Sequence, residues 1–141
     1  MNIIEKAQAF ATEKHAGQFR FDGVTPYIRH PEDVARRVSN SHGATMEDIA
    51  VALGHDLKED AGVTDNDLLE IGMPYHVVEA INILTKKEGQ SYQEYLELVI
   101  QNPTARKVKI YDMLSNLSDS PSRKQVKKYA EGLSFLLNGI I

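Results

Sequence analysis

Residues 45–60 read Thr45-Met-Glu-Asp48-Ile-Ala-Val-Ala-Leu53-Gly-His55-Asp56-Leu-Lys-Glu59-Asp60. Thr45 with Asp48 three residues on is a capping box, and Ile49, Ala50 and Leu53 behind it give the helix an apolar face. The helix is predicted to continue through His55 and Asp56 to Glu59 and Asp60 at its C-terminal end. Carboxylates there oppose the helix dipole, which favours cations at that end. Glu59 follows His55 by four residues and Asp56 by three, and Asp60 follows Asp56 by four, so these groups share roughly one face. A divalent cation on that face relieves both the charge repulsion and the dipole penalty. The alternative is a solvated, frayed helix end with a chance cluster.

Outward from this stretch the periodicity is helical almost throughout. Toward the N-terminus, Ile3, Ile4, Ala7, Phe10 and Ala11 form one stripe. Pro31 suits the first turn of a helix that turns Val34, Ala35 and Val38 inward. Toward the C-terminus, Thr64 with Asp67 and Ser91 with Glu94 repeat the capping signal. Further stripes are Val77, Ala80, Ile81 and Leu84, then Tyr92, Tyr95, Leu96 and Val99, then Val108, Tyr111 and Leu114 after Pro103. The last, past Pro121, is Val126, Tyr129, Ala130, Leu133 and Leu136 or Leu137. Asp22-Gly23 marks a turn, but its flanks do not alternate as strands do. The expected fold is an all-α, compact helical bundle of about seven or eight helices, with residues 1–141 as one domain.

With 141 residues the chain is long enough to bury a sizeable core, and 42% apolar with 26% charged residues is ordinary for a globular protein. The net charge of −4 provides no overall basic field to hold a nucleic-acid polymer or an anionic membrane. The longest apolar run, near Leu133 to Ile141, is interrupted by Asn138 and Gly139 and is too short to span a bilayer. The N-terminal MNIIEKAQAF lacks the layout of a signal peptide, so a cytoplasmic location is expected. Absence of cysteine excludes disulfides, thiolate metal sites and Cys nucleophiles. Five His and twenty carboxylates remain for metal or acid–base chemistry.

Asp112 lies among apolar neighbours in a helix, where an aspartate is normally paired or metal-bound, with Lys109 one turn back and Asn116 one turn on. A plain Asp112–Lys109 ion pair is the competing reading. His30 before Pro31 would alone be an ordinary turn or cap residue. Taken with His55, Asp56 and Asp112 it completes a mixed nitrogen and oxygen set suited to Mn²⁺ or Fe²⁺, open also to Zn²⁺ and unlike a Ca²⁺ site. Such a set, with positions left open for water, is a natural phosphate-ester hydrolase centre. Arg20, Arg29, Lys58, Lys86, Lys87 and Lys109 are candidates for a local basic patch, though each alone reads as a solvated surface charge. His42 and His76 have no comparable partners and are placed outside the site.

Five segments occur in order: His15-Ala-Gly-Gln18-Phe-Arg20, Pro26-Tyr27-Ile28-Arg29-His30-Pro31, His55-Asp56-Leu-Lys-Glu59-Asp60, Leu84-Thr85-Lys86 and Lys109-Ile-Tyr-Asp112. Together they resemble the HD-superfamily hydrolase domain of the RelA/SpoT type, and most nearly its small stand-alone, Mesh1-like (p)ppGpp 3′-pyrophosphohydrolases. The resemblance runs from about Ala7 to Tyr129. It implies that His30, His55, Asp56 and Asp112 bind one Mn²⁺, with Fe²⁺ or Zn²⁺ as substitutes. Glu59 and Asp60 would position or activate the attacking water. Arg20 and Asn116 would contact substrate, and Lys86 and Lys109 its phosphates, while His15 would be architectural. Phe21, Leu57 and Met113 depart from the residues common in the family, Phe21 standing where Lys is frequent and Met113 where Arg or Lys is common.

The resemblance implies hydrolysis of ppGpp or pppGpp to GDP or GTP plus pyrophosphate. The expected partner is a small nucleotide, not a nucleic-acid polymer or a membrane, and homo-oligomer formation is compatible with it. Two alternatives stand beside it: an HD-type phosphohydrolase acting on a nucleoside 5′-monophosphate or triphosphate, and a non-catalytic binding module with a vestigial metal site.

Overall fold

Local capping chemistry sets where most helices begin. In the computed structural model, which describes residues 1–138, Asn2, Thr45, Thr64, Ser91 and Ser122 each close a capping box with the side chain three residues on. The order is α1 (Ile3–Lys14), α2 (Arg29–Ser39), α3 (Met46–Gly54), α4 (Leu57–Ala61), α5 (Asp65–Glu70), α6 (Tyr75–Leu84), α7 (Tyr92–Val99), α8 (Pro103–Leu117) and α9 (Arg123–Leu137). The all-α expectation holds, and α4 is a one-turn continuation of α3 beyond a break at His55 and Asp56. Among the described residues one isolated bridge, Phe19 to Pro26, closes the loop around Asp22-Gly23, and no helix is long and apolar enough to cross a membrane. Residues 139–141, the end of the Leu133–Ile141 run and of the expected domain, lie outside the described residues.

The core is organised around α3. Ala50, Val51, Ala52 and Leu53 are all at most 2% exposed, so this helix beyond its first turn is buried on every side instead of along one stripe. It packs against α1, α2, α6 and α8, and small residues let those neighbours approach closely. At Gly54 a β-carbon would lie 2.9 Å from Ile81 Cδ1. On α9 the buried face is Gly132 and Leu136, flanked by half-buried Tyr129 and Leu133, whereas Val126 and Ala130 of the expected stripe are exposed. The reason is that α9 packs chiefly on α7 and α8 and needs only a narrow apolar edge.

Asp48 does more than cap α3. Its buried carboxylate also accepts from Thr104 Oγ1 at 2.8 Å and Lys107 Nζ at 3.1 Å on α8, tying the two helices together. Burial pushes its pKa up, but the hydrogen bonds from Thr104, Thr45 and Lys107 outweigh that and hold it below the ordinary value. Asp48→Ala is expected to cost about 1–3 kcal/mol, read as a lowered Tm near pH 7. Because the folded-state pKa is depressed, this contribution is present above about pH 4 and is lost as pH falls through the folded pKa. The Tm gap between wild type and variant should therefore narrow in acid, and a gap constant down to about pH 2 would exclude an ionised Asp48 as its source.

Candidate active site

Two helices and the break between two others converge on a buried cluster. His30 comes from the first turn of α2, Asp112 from the middle of α8, and His55 and Asp56 from the break between α3 and α4. Asp56 has φ −101° and ψ 0°, the bridge conformation in which many active-site residues sit, and its carboxylate turns into the cluster instead of capping α4. His30 Nε2 lies 2.8 Å from Asp112 Oδ1 and 3.8 Å from Asp56 Oδ2. His55 Nε2 lies 3.2 Å from Asp56 Oδ2 and 3.4 Å from Asp112 Oδ1. His30, His55 and Asp112 each offer one ligand atom, and these atoms all lie within 4.8 Å of one another, a group that could hold a metal ion.

The chemistry of His55 tests that fit. Its Nδ1 is 2.6 Å from the carbonyl of Ala52, which can only accept, so Nδ1 carries the hydrogen. Nε2 is then directed at two carboxylates, is buried, and has no hydrogen-bond partner. Burial pushes the imidazole pKa down, but the charges of Asp56 and Asp112 outweigh it and hold it well above the ordinary histidine value. The site thus calls for positive charge at Nε2, which a metal ion supplies as well as a proton does. His30 is oriented in the same manner from behind, with Nδ1 3.2 Å from Ser115 Oγ.

Asp112 reconciles the two readings of its helix. Oδ1 faces the histidines while Oδ2 accepts from Lys109 Nζ at 2.8 Å, so the ion pair and the cluster coexist on one carboxylate. Burial pushes the Asp112 carboxyl up, and Lys109 and the two histidines overcome this and hold it well below the usual range. Asp56 is likewise drawn down to about 2, burial being outweighed by His55. Glu59 and Asp60 behave oppositely. Both face solvent on one side, and partial burial together with the Asp56 charge pushes both carboxyls up. Two kinds of carboxylate therefore stand side by side, one kind held ionised and the other readier to hold a proton.

Of the expected substrate contacts, Asn116 donates to Asp112 Oδ1 at 3.3 Å and accepts from Arg20 Nη2 at 3.2 Å, which links Arg20 to the cluster. Arg20 is also held by Asp119 at 2.9 Å and borders a cavity of about 240 Å³ beside His30 and one of about 690 Å³ beside exposed Phe21. Arg29 lines the smaller cavity, while Lys58 and Lys87 are committed to Asn82. Lys86 is exposed in the connection between α6 and α7, and no hydrogen bond or ion pair among the described residues ties it to the cluster. His42 and His76 are exposed and take no part in the cluster. Sequence reasoning passed over Tyr27, whose hydroxyl donates to Asp56 Oδ2 at 2.7 Å, as well as Ser115 and Asp119. Tyr27 and Ser115 each stand three residues from a cluster member, and Tyr27 also lies within the Pro26–Pro31 segment of the resemblance, signals that assigned neither a role.

An all-helical frame that gathers two histidines and two aspartates in this way defines the class, an HD-type helical domain. No family model matches the sequence. The guanosine-3′,5′-bis(diphosphate) 3′-pyrophosphohydrolase MESH1 of Xenopus tropicalis is 36% identical over 98% of this chain and 84% of its own length, and the Homo sapiens protein of that name is 33% identical over the same shares. A solved structure described as a metazoan ortholog of SpoT that hydrolyzes ppGpp and plays a role in starvation responses superposes with a TM-score of 0.78. That match covers 99% of this chain and 87% of the other at 25% identity. The chain belongs to the MESH1 family of guanosine-3′,5′-bis(diphosphate) 3′-pyrophosphohydrolases.

Proposed function

We propose that this protein is a metal-dependent hydrolase that removes the 3′-pyrophosphate of ppGpp and pppGpp, giving GDP or GTP and pyrophosphate. The observation that carries this reading is a buried His30–His55–Asp112 group in a chain alike along 98% of its length to enzymes of that name. In this reading His30 Nε2, His55 Nε2, Asp56 and Asp112 Oδ1 hold Mn²⁺, with Fe²⁺ and Zn²⁺ suited to the same donors. The bound ion supplies Lewis-acid polarisation of the phosphoryl oxygen. Glu59 and Asp60, with carboxyls raised by burial and by Asp56, orient the attacking water and take its proton. The water oxygen forms a bond to the phosphorus next to the ribose, the bond from that phosphorus to the 3′-oxygen breaks, and the 3′-oxygen leaves with a proton. Lys109, Arg20 and Asn116 face the developing phosphate charge from α8 and the loop before α2, and Lys86 adds a more distant cation.

Removal of metal tests the reading directly. Chelator-treated protein is expected to lose turnover of ppGpp, to regain it with Mn²⁺, and to show a higher Tm with the ion than without. A purified protein with no bound metal and no stabilisation by Mn²⁺ would instead favour a vestigial site. Assay of ppGpp against nucleoside 5′-monophosphates and triphosphates, each with Mn²⁺, separates the alarmone substrate from other nucleotides.

A further inference from the structure

The turn of helix that carries Glu59 and Asp60 has little to hold it by itself. α4 is five residues long, and helices that short owe their stability to their surroundings. Leu57 is buried beneath it and Lys58 ties its outer side to Asn82, but the carbonyl of Asp60 at its C-terminal end is left without a helical partner. Gln18 takes that place. Its side-chain Nε2 donates to Asp60 O at 2.9 Å, across 42 residues of sequence.

The same amide is locked at its other side. A carbonyl can only accept, so the NH₂ of Gln18 must face Asp60, and Oε1 must face His15 Nδ1, 2.8 Å away. His15 therefore carries its hydrogen on Nδ1. Its ring is 2% exposed, is fixed at the end of α1 by a hydrogen bond from its own amide to Ala11, and packs 5.0 Å from the Tyr27 ring. Tyr27 in turn donates its amide to Gln18 O at 2.8 Å and its hydroxyl to Asp56. One loop thus holds the α3–α4 segment at two points, the Asp56 carboxylate and the Asp60 carbonyl.

We infer that Gln18 is a positioning residue: seated on buried His15, its amide clips the Asp60 carbonyl and fixes the place of the Glu59–Asp60 pair beside the cluster. Its consequence for rate rests on the proposed hydrolase reading, whereas the clip itself does not. Gln18→Glu is the sharpest probe, because it keeps length and the acceptor toward His15 and puts a charged acceptor in place of the donor toward Asp60. Expected are a kcat lower by about 10–100-fold, a KM within about twofold of wild type, and faster amide exchange confined to residues 57–61. Gln18→Met, equally long and without polar atoms, should do the same, and circular dichroism checks that both variants are folded.

A wild-type kcat in either folded variant overturns the inference, as does a raised KM at unchanged kcat, which would make Gln18 a substrate contact. Exchange across 57–61 as slow as in wild type also overturns it. If the wild-type protein leaves ppGpp intact, the proposed function fails, and exchange across 57–61 still decides the clip.

Discussion

His55→Ala is expected to abolish metal binding and ppGpp turnover together while leaving a helical protein. The side chain is the one member of the cluster whose inward nitrogen has no hydrogen bond of its own, so its contribution there is charge or coordination. Its removal leaves Asp56 and Asp112 facing one another without the group that now lies between them, 3.2 and 3.4 Å away. Loss of an outer partner of a ligand costs about 10–100-fold in affinity or activity, and loss of a ligand itself should exceed that. The measurements are metal content of the purified variant, helicity by circular dichroism, and rate with Mn²⁺. A folded variant that keeps both metal and rate would sink the assignment of His55.

Glu59→Gln is expected to separate the two functions that His55→Ala removes at once. Gln keeps the size of the side chain and loses the negative charge and with it the ability to take a proton. The proposed ligands are His30, His55, Asp56 and Asp112, and no hydrogen bond joins any of them to Glu59, so metal content should stay at the wild-type level. The rate should fall by about 10²–10⁴-fold, the range general acid–base catalysis supplies, with KM little changed. Asp60→Asn should behave alike, though less severely if Glu59 is the main base. Metal loss in Glu59→Gln would make Glu59 a ligand, and an unchanged rate would remove it from the mechanism.

Much of this architecture is legible in the chain. Capping boxes at Thr45, Thr64 and Ser91 appear where the helices start, because a side chain and an amide three residues apart meet through local geometry alone. The same local rules carried less weight for α9. There Val126 and Ala130 satisfy the helical period and are nevertheless exposed, since the face that is buried depends on which helices lie beneath. The break at His55 and Asp56 was equally hidden. No glycine or proline follows it before Gly62, and Asp56 leaves the helical path to meet His30 of α2 and the Tyr27 hydroxyl.

The residue types of the site were set out by the sequence itself: no cysteine, two histidines and two aspartates with neighbours suited to a metal, and a Glu-Asp pair spaced to share their face. Only the tertiary structure decided their arrangement. His30 and Asp112 are 82 residues apart and meet at 2.8 Å because α2 and α8 both pack on α3. Likewise Lys109 and His30 occupy different oxygens of one carboxylate, so that an ion pair and a metal-binding group need not exclude each other. Spacing along a helix reaches about one turn, and such choices depend on contacts between helices that no local rule encodes.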